Sequence, residues 1–236
     1  MRKGFLKIDA HVHSSGISKC SHVTVEQLTD DKMREGYDGM ILVNHCQPWY
    51  YAPEEQNDFM RLVIKEYERA KKYGDNVGFR AFFGLEVTIE QPYNDWLLYC
   101  VNEKFLLSAP CLYKLRQKEL FDLCEDNGIV LVQAHPFRNS GWGEPEYMRG
   151  VEINCTPPDY ARAEETACIA QKRGLLLTCG TDYHGDARPT NGGIYLPENI
   201  TAGEEVARYL LSAKNTELFL GEKDFTAPGY RPVKNE

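Results

Sequence analysis

Ile8-Asp9-Ala10-His11-Val12-His13-Ser14 is the stretch on which the reading of this chain turns. The residues leading into it, Phe5-Leu6-Lys7-Ile8, read as a short buried strand that runs straight into two histidines one residue apart. Side chains at i and i+2 share one face of a strand, so His11 and His13 aim into the same space at its carboxyl end. Two neutral imidazoles converging in this way can grip a divalent metal. Alone, such a pair reads equally well as two partly exposed loop histidines; the rest of the chain decides between the two.

Working outward, the chain alternates between apolar runs of strand length and amphipathic helical stretches. Thr24 with Gln27 makes a capping box, Val25, Leu28 and Met33 give the helix an apolar stripe, and Gly36 stops it. Met40-Ile41-Leu42-Val43-Asn44 reads as a buried strand with His45 just past it, and a long helix is expected over Pro53–Tyr73. Arg80–Val87 reads as a third strand carrying Glu86 near its end, and Trp96–Val101 as a fourth apolar run. Leu112–Asp126 reads as a helix and Ile129–Gln133 as a strand followed by His135. Val151–Asn154 is a further strand, Pro158–Arg173 a helix, and Leu175–Gly180 a strand followed by Asp182 and His184. Glu204–Ser212 is a last helix, and no strong period follows Phe225. No linker divides the 236 residues. Alternating strands and helices predict a parallel α/β sheet or barrel. About seven strands suit a closed or nearly closed barrel, with its site at the carboxyl ends.

Composition narrows the partners. A formal net charge of −8 argues against a general surface for nucleic acid or anionic membrane. The eight cysteines contain no CxxC pair, so zinc ribbons and thioredoxin motifs are excluded, and several read as small buried residues in a reducing compartment. The basic N-terminus carries too short an apolar run for a signal peptide, and no run reaches transmembrane length. The expectation is a cytoplasmic protein, acting on a small substrate without nucleic acid or membrane partners. Nothing in the sequence specifies its oligomeric state.

Five of the six histidines, His11, His13, His45, His135 and His184, fall at the expected strand ends, together with Glu86 and Asp182. Imidazoles and carboxylates without a thiolate cluster suit hard-to-borderline divalent metals. Asp182-Tyr183-His184 repeats the i, i+2 geometry of the first pair.

Here the sequence resembles the polymerase and histidinol phosphatase (PHP) superfamily of metal-dependent phosphoesterases. The resemblance lies in Asp9–Ser14, Asn44-His45, Gly84-Leu85-Glu86, Ala134-His135-Pro136, Val151–Asn154 and Gly180–His184, which occur in the family's order and span most of the chain. It implies a single domain over 1–236, with the motifs within about 5–190 and a C-terminal extension over 191–236. It implies a distorted (β/α)7, TIM-barrel-like fold carrying two or three divalent metals, zinc, manganese or iron. Family members hydrolyse phosphoesters, some as free-standing phosphatases and others as nuclease domains of DNA polymerases. By position, His11, His13, Glu86 and Asp182 resemble the ligands of one metal. Glu86 would bridge to a second that His135 also binds, and His45 and His184 would share a third.

Two departures stand out. Where many members place an acidic or histidine ligand in the first loop, this chain has Ser18-Lys19-Cys20-Ser21-His22, so Cys20, His22 or water could complete the third site. The histidine that three-metal members carry after the Glu86 block is missing from Trp96–Asn102, which leaves the second site short of a ligand. The resemblance implies hydrolysis of a phosphomonoester of a small metabolite through a metal-bound hydroxide. Arg138, Arg188 or Lys19 would clamp the phosphate, and His184 or His22 would protonate the leaving oxygen. Two other readings compete: an amidohydrolase-like metal hydrolase, against which the lack of a lysine in Ile129–His135 counts, and a metal-binding barrel that has lost catalysis.

Overall fold

The computed structural model describes residues 3–213 and 215–228. Strand β1 (Phe5–Val12) becomes fully buried from Ile8 onward, as a strand does on entering a core. The capping box opens α1 (Val25–Arg34): Thr24 N donates to Gln27 Oε1 at 3.0 Å, and Gln27 N to Thr24 Oγ1 at 3.4 Å. Strand β2 (Gly39–Leu42) pairs parallel to β1. His45 lies in a separate two-residue strand, β3 (His45–Cys46), hydrogen-bonded beside Glu86 and Val87. A 3-10 turn at Pro53–Glu55 leads into α2 (Gln56–Val77), which Gly78 ends in the left-handed conformation, φ 77°. Then come β4 (Arg80–Glu90), β5 (Tyr93–Tyr99), α3 (Glu103–Ser108), α4 (Gln117–Asp126), β6 (Val130–Gln133), β7 (Gly150–Asn154), α5 (Ala163–Arg173) and β8 (Leu176–Gly180).

Seven of these strands, in the order β1-β2-β4-β5-β6-β7-β8, make the wall of a nearly closed barrel. The chain leaving β8 returns to β1: Asp182 N donates to the His11 carbonyl at 2.8 Å and His13 N to the Tyr183 carbonyl at 3.0 Å. The wall is sealed at the end where the histidines sit. Ile41, Leu97, Val132, Ile153 and Leu177, one from each of five wall strands, are at most 1% exposed.

The wall is not uniformly parallel. Strand β5 runs antiparallel to both β4 and β6. Only Gln91 and Pro92 separate β4 from β5, enough for a hairpin but far short of the dozen residues that a parallel crossover needs. The helix expected over Leu112–Asp126 is also broken. Leu112–Lys114 form a 3-10 turn, Leu115 and Arg116 are extended, and the α-helix starts only at Gln117. Tertiary anchors impose the break: Leu112 N donates to Gln56 Oε1 at 3.0 Å, and Tyr113 Oη to the Tyr51 carbonyl at 2.9 Å. The helix after Pro158 likewise begins as a 3-10 turn, Tyr160–Arg162.

The C-terminal region holds more than the one expected helix. Strands β9 (Gly192–Pro197), β10 (Asn215–Leu220) and β11 (Lys223–Pro228) extend the sheet antiparallel from the free edge of β1, with α6 (Gly203–Ser212) between β9 and β10. Gly193 permits the close pairing, since a Cβ there would lie 2.1 Å from the Ile8 carbonyl oxygen. Residues 229–236 of the expected extension lie outside the described residues. Among the described residues no helix is long and apolar enough to cross a membrane.

Candidate metal centre

The closed end of the barrel gathers all seven histidines and carboxylates singled out in the sequence. One nitrogen or oxygen from each of His11, His13, Glu86 and Asp182 lies within 4.8 Å of the others, and all four residues are buried. Glu86, His135 and Asp95 form a second group on the same criterion, and His13, His45 and His184 a third. His13 and Glu86 are each shared, so the three groups are contiguous.

The network behind the rings sets their protonation. Glu152 Oε1 lies 2.8 Å from His11 Nδ1. Ser18 Oγ donates to Asn44 Oδ1 at 2.9 Å, so it can only accept from His13 Nδ1, 3.2 Å away. In its neutral form each ring therefore turns an unprotonated Nε2 inward, and the two Nε2 atoms lie 2.9 Å apart. At that distance a shared proton on His11 or a metal cation joins them. Donors held 2.0–2.2 Å from one tetrahedral ion are spaced roughly 3.4 Å apart. Here the contacts of the two Nε2 atoms with Glu86 Oε2 and Asp182 Oδ1 span 3.2 to 3.5 Å. His45 Nδ1 lies 2.7 Å from Glu86 Oε2 without hydrogen-bond geometry, and both atoms are buried without a hydrogen-bond partner. The donor set fits divalent metal ions.

Charge is balanced accordingly. Burial opposes ionisation of Glu86 and Asp182, yet the histidines around them, with Arg138 at Asp182, hold both carboxyls well below the usual range. Burial also works against His11, but Glu152, Asp182 and Glu86 outweigh it and hold the ring well above an ordinary histidine. His45 is raised to about 10 against its burial by Glu86 and Cys20, while burial and the neighbouring His45 and His184 push His13 down.

The backbone is bent to deliver these groups. His135 and Asp182 adopt positive φ, 26° and 55°. A non-glycine residue in that region costs of order 1–3 kcal/mol and persists where its surroundings hold it. Asp9 supplies one such hold, accepting from His11 N at 3.2 Å and from Thr181 N and Oγ1 at 3.0 and 2.6 Å, so the ends of β1 and β8 are tied through one carboxylate. Gly180 leaves room, since a Cβ there would meet His11 Cβ at 2.4 Å.

Asp95 stands where the sequence showed no candidate. Its pairing partner is Thr88, two residues along β4 from Glu86, so Asp95 and Glu86 point to the same face of the hairpin. Its Oδ2 lies 3.9 Å from His135 Nε2, which in turn is 3.0 Å from Glu86 Oε1. Had the two-residue turn been recognised, strand alternation would have placed Asp95 here. Glu152, quoted among the motifs but given no role, underlies the cluster by accepting from His135 N at 3.2 Å and Asn154 Nδ2 at 2.9 Å as well as facing His11.

A cavity of about 410 Å³ opens onto the cluster, lined among others by Cys20, His22, Arg138, Thr156, His184 and Arg188. Arg138 reaches Asp182 Oδ2 at 2.5 Å and Asn154 Oδ1 at 3.3 Å. Arg188 donates to the Asp182 carbonyl, and its buried Nε has no hydrogen-bond partner. Lys19 instead lies over the Tyr50 ring, 4.8 Å from its centroid. His184 Nδ1 is 2.8 Å from the Asp182 carbonyl, which leaves Nε2 as the nitrogen available to the cluster.

This is a nearly closed α/β barrel with its polar cluster at the carboxyl ends of the strands. Among solved structures, PsfC from Pseudomonas syringae superposes with a TM-score of 0.68 at 16% identity, covering 93% of each chain. A two-domain protein from Bacteroides vulgatus that contains a predicted PHP-like metal-dependent phosphoesterase gives 0.65 at 18% identity, over 93% of this chain and 66% of that one. This chain thus spans just under two thirds of the Bacteroides protein. An amidohydrolase from Chromobacterium violaceum with bound sulfate gives 0.57 at 12% identity, over 86% of this chain and 96% of that one. At these identities the likeness is one of fold. No family model matches the sequence, and no curated protein matches it.

Proposed function

We propose that this protein is a PHP-type metal-dependent phosphoesterase that hydrolyses a phosphomonoester of a small metabolite. The observation that carries this reading is the placement of two guanidinium groups, Arg138 and Arg188, on the wall of the cavity that opens onto the histidine–carboxylate cluster. A phosphoryl group has several charged oxygens for such donors to hold; a neutral amide or lactone has none. The two-domain Bacteroides protein, with its PHP-like phosphoesterase, supports the assignment by fold. The amidohydrolase alternative has its own neighbour in the Chromobacterium protein. However, Lys32, the one lysine buried among the described residues, is held by Asp9, Thr181 and Glu35 beneath the cluster and does not bridge it.

In this reading His11, His13, Glu86 and Asp182 hold one metal. Glu86, Asp95 and His135 hold a second, and His45 and His184 belong to a third. Which of zinc, manganese or iron they take belongs to the proposal. Bound divalent ions supply Lewis acidity at the phosphoryl group and acidify a water. Arg138 and Arg188 orient the phosphoryl oxygens and offset the charge that builds on them. His184 is engaged in the cluster, and His22, which lines the same cavity, is assigned to protonating the leaving oxygen.

The test is a phosphate-release screen over metabolite monoesters with the protein loaded with Zn²⁺, Mn²⁺ or Fe²⁺, beside His11→Ala. Turnover lost in the variant supports the reading. Turnover of an amide or lactone, with no phosphate ester cleaved, replaces it with the amidohydrolase. Metal binding without any turnover makes the protein a metal-binding barrel.

A further inference from the structure

The chain leaving β7 runs through Thr156-Pro157-Pro158-Asp159 into the 3-10 turn at Tyr160–Arg162, and Asp159 stands at the N-cap position of that turn. An aspartate there ordinarily caps the turn with its side chain. Asp159 does not: its side chain makes no capping hydrogen bond and is folded inward instead, with the residue only 1% exposed. One oxygen, Oδ1, accepts from Phe137 N at 3.1 Å, which ties the loop after β7 to the loop after β6. The other, Oδ2, is buried without a hydrogen-bond partner and stands 3.9 Å from Arg138 Nε. The tie between loops needs only one neutral acceptor, which an asparagine would supply as well. A carboxylate oxygen left bare in the interior is unfavourable, and a guanidinium edge facing it offsets that cost.

Arg138 is engaged along two of its edges. Nη2 donates to Asp182 Oδ2 and to Asn154 Oδ1, and Thr156 N and Oγ1 fix that Asn154 oxygen at 3.0 and 2.6 Å. Nε faces Asp159. The guanidinium is planar and rigid, so fixing Nε and Nη2 fixes the direction of Nη1. Arg138 lines the cavity that opens onto the cluster, and its side chain is 30% exposed, which leaves Nη1 as the nitrogen for a phosphoryl oxygen.

We propose that Asp159 is a positioning residue for phosphate recognition: it holds the Nε edge of Arg138 so that the remaining nitrogen of the guanidinium meets the phosphoryl group of the substrate. The proposal rests on the phosphoesterase reading above and adds to it the residue that orients the phosphate clamp. A long side chain that must be ordered on binding loses rotamer freedom at that moment, whereas one already held by a buried carboxylate does not. Asp159 therefore acts through Arg138 and not on the substrate.

The test uses the full chain loaded with Zn²⁺, with inorganic phosphate as the probe and its binding followed by calorimetry. Wild type, Asp159→Asn, Arg138→Ala and the double variant are compared. Asp159→Asn keeps the shape and an acceptor for Phe137 N but turns an amide donor toward Arg138. Its dissociation constant for phosphate should rise about fivefold or more, within the range by which residues in contact couple. In the Arg138→Ala background the same substitution should change nothing further, an outcome that a merely structural role would not give. Zinc content and circular dichroism of Asp159→Asn should match the wild type; if that variant fails to fold, Asp159→Ala is measured in its place. Unchanged phosphate affinity, equal weakening in both backgrounds, or loss of zinc from the Asp159 variant overturns the positioning role while leaving the phosphoesterase reading intact. A wild type that takes up zinc but binds no phosphate overturns both.

Discussion

Glu152 Oε1 stands 2.8 Å from His11 Nδ1, joining the middle of β7 to the end of β1 across the barrel, and neither side chain is exposed at all. The carboxylate fixes which nitrogen of His11 faces the cluster and makes that nitrogen a better donor. Replacing such a partner of a ligating histidine typically lowers metal affinity 10- to 100-fold. Glu152→Gln keeps the shape but removes the charge, so its affinity for Zn²⁺, measured against a chromophoric chelator, should fall by about that factor. An unchanged affinity would show that the ring is oriented by packing alone.

In the proposed function Asp95 shares the second metal with Glu86 and His135. Asp95→Ala should bind one metal equivalent fewer than the wild type by elemental analysis, and Asp95→His should restore it. If the alanine variant retains full metal, Asp95 serves only its hydrogen bonds with Thr88 and Asn139.

Arg138 touches Asp182 through one nitrogen and remains partly open to the cavity, its side chain 30% exposed. A charged hydrogen bond to a phosphoryl oxygen is worth about 1.5–3 kcal/mol. Arg138→Ala should therefore raise KM, and the inhibition constant for inorganic phosphate, about tenfold or more, with a smaller fall in kcat. Loss of kcat alone would mean that the guanidinium acts through Asp182 and not on the substrate.

Metal affinity should rise with pH. Metal-free, His11 holds its proton well above the ordinary histidine value and His45 up to about 10. Both nitrogens must be bare to bind a cation, so over the range below those values each metal has to displace protons. Each displaced proton weakens apparent affinity about tenfold per pH unit of acidification. Calorimetric titration in buffers of different protonation enthalpy should show net proton release near neutrality; proton uptake would reverse the assignment.

Lys32 is fully buried, with its Nζ 3.1 Å from Asp9 Oδ2, and Asp9 in turn holds Thr181. Removing one partner of a buried pair costs about 3–5 kcal/mol, because the other charge stays behind. For a protein of this size Lys32→Met should then lower Tm by roughly 6 °C or more. It should also loosen metal binding through Thr181 and Asp182. An unchanged Tm would show that Asp9 is satisfied by its backbone donors alone.

The sequence by itself determined the barrel and the edge at which its polar residues gather. An apolar run of strand length followed at once by histidine or carboxylate is a local signal: the run must be buried, and the residue after it must emerge at the rim. His11, His13, Asp182 and His184 are placed by that rule together with period-2 alternation, and the Thr24–Gln27 cap and Gly174 stop are equally local. The tertiary structure decided whatever depends on pairing between distant segments. The antiparallel hairpin carries Asp95 to Glu86, and the three C-terminal strands rest on the open edge of β1. Glu152 reaches His11 from a strand 141 residues away. Periodicity tells a side chain which face of its own element it occupies. Its neighbours across the barrel follow from strand register and loop packing, and those energies arise only between segments brought together by the fold.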